Sequence, residues 1–542
     1  MPLPSSITPS PTHPLTSSSA HGWRAALLLT LAIVAARLIY LIWFCPFELA
    51  ADEAQYWDWS RRLEFSYYSK GPGIALLIAG ATRLLGAAEW AIRAPAGIAI
   101  GIAALAVARL ALPADGPRGR GALLACAMVW VIPAYHAAAS FMTIDAPFLA
   151  CWALAALAGF VAIAHVREGR SGTLAWLGLG AALGVGFLFK YTILLLVPGL
   201  VIAMFLERRS LRWSARSGGA AIIGALTAAA LTLPVILWNN AHGWPTARHL
   251  LRHIGVRADE PETALAEPRP WSYDPMWTLE LLGTQIAAVG PALGVMVLSI
   301  VSLRRSRGEE SDAWRLTRYC IACAAPVLIF YFGATLARDA EANWPIAAYL
   351  TLCVPAGLAL AGLAGRARSR VMNGLWRASI AYGMIAALGI WFIPLLDRVP
   401  RLGEAVAYHR IQGHREFSRQ VQRVIDDASA ATGRDAVVIT SRYGTAALLA
   451  YYLPGRPVVR CGSSALGSES TAYDFFVDAR LDDPALVGAP VVLVGAAGDR
   501  WQNALRVTGA TEVLAAGAGK RPPVYLGLDF RGVRGGAPSP TP

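Results

Sequence analysis

The sequence predicts an α-helical polytopic membrane protein with a small α/β domain at its C-terminal end. Three observations carry this. Of the 542 residues, 56% are hydrophobic and only 15% charged, with a mean hydropathy of +0.46, more apolar and less charged than an ordinary soluble domain. Apolar runs long enough to cross a bilayer recur along the first 400 residues. After Asp397 the runs shorten to strand length and alternate with helical stretches, the signature of an α/β domain.

Taken in order, residues 1–23 are rich in Pro, Ser, Thr and His and are expected to be a disordered cytoplasmic N-terminus. They lack the basic start and small-residue cleavage pattern of a signal peptide, so the first span reads as an uncleaved anchor. A membrane domain over 24–396 is expected to hold about eleven spans, near 24–44, 92–112, 120–138, 145–165, 172–188, 190–206, 218–238, 278–303, 317–336, 343–364 and 376–396. Two long outward loops interrupt it, 45–91 and 239–277. Within the first, 73–85 is apolar but short and carries Arg83, which suits an interfacial helix. In the second, a helix from Thr246 would place Arg248 and Arg252 at i,i+4, beside the pair His249 and His253. Residues 397–530 form the extracytoplasmic α/β domain, with strands expected at 436–440, 457–460, 490–494 and 524–528 and helices at 416–431 and 445–453. The tail, 531–542, is Gly/Pro-rich and expected to be disordered.

The net charge of +13 is a topology signal. Arginines crowd alternate short loops: Arg118 and Arg120, Arg167 and Arg170, Arg208 to Arg216, Arg304 to Arg318, Arg366 to Arg377. Under the positive-inside rule these loops are cytoplasmic. The N-terminus is then cytoplasmic, and the Asp52 loop, the 338–343 turn and the C-terminal domain face outward. This placement argues against nucleic acid as a partner. The seven cysteines make no disulfide framework: most lie in spans, and only Cys45 and Cys461 are outward candidates for a bridge.

Chemistry concentrates at the outward edge. Asp52 and Glu53 follow the first span, and an isolated lysine, Lys70, closes the same loop. The chain has only three lysines, Lys70, Lys190 and Lys520, among 48 basic residues. Two of them sit at outward membrane edges beside tyrosines. An ammonium there either snorkels from a helix end or serves as a compact charge for phosphate. Asp145 opens the fourth span with Pro147 in its first turn, which also fits a simple N-terminal cap. A third outward segment, Arg338-Asp339-Ala340-Glu341-Ala342-Asn343-Trp344-Pro345, mixes both charges. For Asp52 and Glu53 the plain alternative is helix capping; for the 246–253 helix it is an ordinary surface helix. Two histidines at i,i+4 lack a third ligand, so no metal site is expected. Ionisable groups at membrane boundaries are costly and commonly functional. Cations hold a lipid phosphate as leaving group, and a carboxylate takes the proton of an attacking hydroxyl. The combination fits glycosyl transfer from a polyprenyl-phosphate sugar.

These motifs, in this order, resemble the GT-C membrane glycosyltransferases of the protein-mannosyltransferase and lipid A aminoarabinose-transferase type. The resemblance covers about residues 24–400. It rests on Asp52-Glu53-x-x-Tyr56, Lys70-Gly71-Pro72 before an apolar helix and Arg93, Thr143-Ile144-Asp145-Ala146-Pro147, Phe189-Lys190, and Glu341-Ala342-Asn343-Trp344-Pro345. It implies an integral-membrane transferase that uses a polyprenyl-monophosphate sugar outside the cytoplasm, usually with inversion. Asp52 corresponds to the family's first-loop acid, with Glu53 and Asp145 as further catalytic acids. Lys70, Lys190 and Arg93 are the implied donor-phosphate contacts. Tyr56, Tyr68, Arg248, Arg252, Glu341 and Asn343 are expected around substrate or headgroup. The family often has Lys-Pro-Pro where this chain has Lys70-Gly71-Pro72. The expected partners are a polyprenyl-phosphate sugar donor, a lipid or glycan acceptor and the inner membrane; no cofactor is expected, and the sequence leaves a divalent-metal requirement open. Protein O-glycosylation is the alternative within the enzyme class. A lipid-linked-sugar flippase is the alternative outside it, and it predicts polar groups near the bilayer midplane, where Arg37 is the main candidate.

Overall fold

The computed structural model describes residues 17–116, 119–253, 273–307, 311–363, 370–398, 408–516 and 521–534. By its internal contacts the chain divides into two compact units. The first holds residues 1–44, 93–234 and 271–392; the second holds 45–92, 235–270 and 393–542. Most of the two long loops, 45–91 and 239–277, is thus grouped with the C-terminal residues.

The first unit is a set of apolar helices. In a bilayer every backbone polar group has to be satisfied within the protein, and a helix does this by itself. Among the described residues five helices are long and apolar enough to cross a membrane: Ala20–Trp43, Glu89–Ala114, Asp145–Arg167, Ala215–Ala241 and Asp312–Ala334. The chain is a multi-pass membrane protein with a mostly helical fold.

Several of the other expected spans are shortened or broken, for local reasons. The run 120–138 splits into helices Arg120–Val131 and Pro133–Ala138. Pro133 has no N–H and pushes Ile132 into an extended conformation, φ −85°, ψ 119°. The runs 172–188, 190–206 and 343–364 contain apolar helices of under 18 residues: Thr173–Phe189, Tyr191–Leu206 and Ile346–Gly362. The span expected near 278–303 is bent in the structure. Helices Pro275–Val289 and Ala292–Arg305 meet at 88°. Gly290 adopts φ +65°, and the Tyr382 ring stands where its Cβ would be, 2.3 Å away. Pro291 follows, and Gly-Pro supplies the break. Close backbone approach recurs between Thr173–Phe189 and Ala215–Ala241: a Cβ on Gly180 would lie 2.0 Å from the Gly224 carbonyl oxygen. Small residues at such crossings are what membrane helices use to pack.

The second unit is built on a five-stranded sheet. Its strands are β1 Val437–Thr440, β2 Arg460–Cys461, β3 Val491–Val494, β4 Leu505–Thr508, β5 Thr511–Leu514, β6 Val524–Gly527 and β7 Asp529–Val533. The order is β2-β1-β3-β6-β5, and β4 pairs with β7 in a separate ribbon. β2, β1 and β3 are parallel, while β6 and β5 run antiparallel. β3 is buried at every position and reads as the continuous run Val-Val-Leu-Val, as a strand covered on both faces should. Its neighbours Ile439, Trp501, Leu505 and Phe530 complete the core. The expected strands at 436–440, 490–494 and 524–528 are β1, β3 and β6. The expected strand at 457–460 shrinks to β2. β4, β5 and β7 were not anticipated, because each is short and half exposed and shows little hydrophobic pattern. Among the described residues no disulfide joins Cys45 and Cys461.

Helix Ala51–Ser60 belongs to this unit and is fixed at both ends. Just before it, the Glu48 carboxylate accepts hydrogen bonds from the backbone N–H groups of His414, at 2.5 Å, and Arg415, at 3.3 Å. These are the first N–H groups of helix His414–Thr432, where a carboxylate is most favourable. Beside it, the Tyr452 hydroxyl donates to Glu89 at 2.5 Å and accepts from the Leu49 N–H at 2.7 Å. Burial, then the Glu89 carboxylate, push this phenol well above the usual tyrosine range. At the far end, the fully buried Asp58 pairs with Arg61 at 3.2 Å and Arg62 at 2.9 Å, and the Tyr473 hydroxyl donates to it at 2.9 Å. Burial raises the Asp58 carboxyl despite both arginines. Glu48→Ala is expected to destabilise the protein by about 1–2 kcal/mol, the usual cost of losing an N-terminal cap. A thermal melt of the purified chain checks this.

Candidate active site

Asp145 is the first residue of helix Asp145–Arg167, where a carboxylate meets the positive end of the helix dipole. Its side chain is enclosed by three partners. The Lys190 ammonium pairs with one oxygen at 2.8 Å. The Asn343 side-chain amide donates to the other at 2.7 Å, and the Thr143 hydroxyl lies 3.5 Å from that same oxygen. Lys190 ends helix Thr173–Phe189 and takes an extended conformation, φ −150°, ψ 120°, before the turn Tyr191–Leu195. Its ammonium also lies 5.5 Å from the centre of the Phe148 ring. The side chains of Lys190 and Asp145 are only 12% and 9% exposed. Three separate polar motifs of the first unit therefore meet at one carboxylate. An ammonium has three protons to donate, so Lys190 can bind Asp145 and still present protons to an anion.

Asn343 reaches Asp145 because the turn before helix Ile346–Leu358 is held in place. The Gln285 side chain donates to the Ala342 carbonyl at 2.9 Å, and the Trp344 N–H donates to the Glu341 carbonyl at 3.1 Å. Glu341 itself is exposed. Arg93, on the same unit, is 1% exposed and its guanidinium sits 5.6 Å over the Phe141 ring. Asn343→Ala is expected to leave one Asp145 oxygen undersatisfied. It should cost about 1–3 kcal/mol of stability, read by a thermal melt of the purified chain.

The second unit carries the other candidates. Asp52 sits in the first turn of helix Ala51–Ser60 with its side chain exposed. The Tyr443 hydroxyl lies 3.5 Å from its carboxylate. Tyr443 opens helix Tyr443–Tyr452, which packs closely here: a Cβ on Gly444 would stand 2.9 Å from the Ala51 Cβ. Burial and the Asp52 carboxylate together push the Tyr443 phenol up to about 12. Glu53 behaves differently from its neighbour. It is fully buried and accepts from the Ala50 N–H at 3.0 Å, the acidic half of a capping box. The capping alternative thus describes Glu53, while Asp52 points its carboxylate away from the helix core.

Lys70 is half-buried, and its backbone holds the turn that presents it: its carbonyl accepts from the Tyr67 N–H at 3.0 Å and the Ser66 hydroxyl at 3.3 Å. Tyr56 and Tyr68 are buried, at 5% and 8% exposure. Tyr56 packs edge-on against Trp59, and Tyr68 lies against His249 and Phe475 with ring centres 5.1 and 6.0 Å away. Arg248 belongs to the helix Pro245–His253, one residue from the start expected at Thr246. Its guanidinium passes 3.3 Å from where a Cβ on Gly243 would be, and Gly243 has φ +72°. The side chain of Arg252 lies outside the described residues. Among the described residues no group of three His, Cys, Asp or Glu could hold a metal.

Comparison with known proteins bears on the fold. The profile of the dolichyl-phosphate-mannose-protein mannosyltransferase family matches residues 69–238. The structure aligns with apo ArnT from Cupriavidus metallidurans with a TM-score of 0.59 at 14% identity, over 94% of this chain and 98% of that one. The chain has the ArnT fold. The same ArnT bound to undecaprenyl phosphate aligns with a TM-score of 0.58 at 14% identity and the same coverage. A lipid A galacturonosyltransferase, RgtD of Rhizobium johnstonii, is 31% identical over 333 residues, 60% of this chain. The match spans 63% of that relative's length, somewhat under two thirds. The GT-C resemblance read from the sequence is borne out.

Tyr443, Gln285 and Thr143 were not anticipated. Tyr443 lies almost 400 residues from Asp52 in a domain with no motif, and Gln285 acts through a backbone carbonyl, so neither left a local signal. Thr143 opens the motif that contains Asp145, and the sequence did not tell that its hydroxyl would lie beside the carboxylate.

Proposed function

We propose that this chain is a glycosyltransferase that moves a sugar from a polyprenyl-phosphate donor to an acceptor outside the cytoplasm, lipid A or another envelope glycolipid. The observation that carries the reading is the Asp145–Lys190–Asn343 cluster: a nearly buried ammonium at the end of a membrane helix, held by a carboxylate and retaining protons to donate. The names of the relatives supply the substrate class. The protein resides in the inner membrane with its N-terminus cytoplasmic and its C-terminal domain extracytoplasmic, in line with the arginine-rich alternate loops.

In this reading Lys190 holds the donor phosphate, Lys70 is the further phosphate contact that the resemblance implies, and Arg248 contacts a headgroup. The acceptor oxygen attacks the anomeric carbon, the bond from that carbon to the phosphate oxygen breaks, and polyprenyl phosphate leaves with the electron pair. The cations stabilise the charge that collects on the leaving phosphate. Asp52, the exposed carboxylate, takes the proton when the acceptor is a hydroxyl. When the acceptor is a phosphate already ionised near neutral pH, Asp52 instead orients it and stabilises positive charge developing on the sugar. Glu53 supports this through the helix it caps. The family profile keeps protein O-mannosylation as the second reading, since it is named for protein acceptors.

The test compares envelope lipids by mass spectrometry in a host lacking the protein and in the same host with it restored. A sugar-sized mass increment on lipid A, present only with the protein, is expected and identifies the sugar by its mass. An unchanged lipid A profile together with newly glycosylated envelope proteins overturns the lipid reading in favour of the second.

A further inference from the structure

At the opposite end of the Asp145–Arg167 helix stands a second charged cluster that the proposed reaction does not use. The helix has 23 residues and is about 35 Å long at 1.5 Å per residue, close to the ~30 Å of a bilayer's hydrocarbon core. An anion held at Asp145 and Lys190 is therefore out of reach of Arg167. At this end Glu207 lies among three guanidinium groups: Arg318 at 3.0 Å, Arg315 at 3.5 Å and Arg167 at 3.9 Å. Asp312 takes a second contact from Arg315 at 2.8 Å. Two carboxylates thus face three arginines, and the exposed Arg208, Arg209 and Arg212 follow Glu207 directly. The Arg318 Nε is buried without a hydrogen-bond partner among the described residues. The cluster carries surplus positive charge and an unused donor.

An apolar space adjoins it. A cavity of about 300 Å³ lies among four helices of the first unit, lined by Ile163, Trp176, Leu183, Val197, Met204 and Ala225, among others. Ile163 also borders the small cleft that holds Arg167, Glu207, Arg315 and Arg318. Trp176 leans on the exposed Trp213, ring centres 6.2 Å apart, and amphipathic rings of this kind anchor membrane interfaces. Positive charge at the interface and an apolar cavity beneath it are the two halves of a phospholipid site.

We propose that this end of the first unit binds an anionic phospholipid of the adjacent leaflet, its phosphate on Arg315 and Arg318 and an acyl chain in the cavity lined by Val197 and Ala225. Arginine suits this role, since its planar fork donates two parallel hydrogen bonds to phosphate oxygens. Basic pockets between membrane helices recognise anionic headgroups in this way. The proposal is independent of the transferase reading, because it concerns the other membrane face.

The test uses the purified full chain with three probes: phosphatidylglycerol, phosphatidylcholine of the same acyl chains, and inorganic phosphate. Lipid retention by native mass spectrometry and the melting temperature are the readouts. Phosphatidylglycerol alone is expected to be retained and to raise the melting temperature. The double variant Arg315→Gln/Arg318→Gln is expected to bind it at least tenfold more weakly. Ala225→Phe, which fills the cavity and leaves the arginines intact, is expected to do the same, and Arg318→Lys to keep part of the binding. Equal retention of phosphatidylcholine, an equal shift with inorganic phosphate, or undiminished phosphatidylglycerol binding in the double variant would each overturn the proposal.

Discussion

Asp52→Asn is expected to abolish sugar transfer while membrane insertion and the melting temperature stay near wild type. The substitution keeps the shape of the side chain and removes its charge and basicity. Asp52 is exposed, and the cap of its own helix belongs to Glu53. Loss of a positioned base lowers a rate by about 10²–10⁴-fold, and loss of charge stabilisation at the sugar adds to this. The contact with Tyr443 gives a second readout. The Asp52 carboxylate helps to raise that phenol, so its removal should let Tyr443 ionise at lower pH than about 12. An active Asp52→Asn enzyme with a normal melting temperature would remove Asp52 from the chemistry.

Lys190→Ala carries the second large effect, and it combines function with stability. Removing the ammonium leaves Asp145 nearly buried without its countercharge, and breaking a buried pair from one side costs about 3–5 kcal/mol. It also removes a donor from the leaving phosphate, and one such donor is worth about 10²–10³ in rate. The double variant Lys190→Ala/Asp145→Asn separates the two contributions. Replacing the orphaned carboxylate by a neutral amide should restore much of the stability and none of the transfer. Recovery of transfer along with stability would make the pair a structural brace. Stability restored with transfer absent is the outcome that the proposed role of Lys190 requires.

The candidate site residues of the first unit were legible because each broke a strong local rule. Lys190 is one of only three lysines, and Asp145 and Asn343 are polar groups at the ends of apolar runs. What the sequence did not tell is that Asn343 serves Asp145. It was expected at the substrate, and the structure spends its amide on the acid. Arg93, Tyr56 and Tyr68 illustrate the same limit: the motif marks the residue, and burial depends on neighbours distant in the chain.

Composition and pattern by themselves determined that this is a multi-pass helical membrane protein with a C-terminal α/β domain. Hydrophobic length and the strand period are summed over many residues, so a few exceptions do not erase them. Local chemistry determined several boundaries too, such as the helix beginning at Asp145. The tertiary structure alone decided which groups meet. The 88° break at Gly290–Pro291, the short exposed strands β4, β5 and β7, the Glu53 cap set against the exposed Asp52, and the reach of Tyr443 to Asp52 all depend on contacts between distant segments. Such contacts leave no periodic trace, because a single hydrogen bond or backbone kink is specified by one or two residues whose partners lie hundreds of positions away.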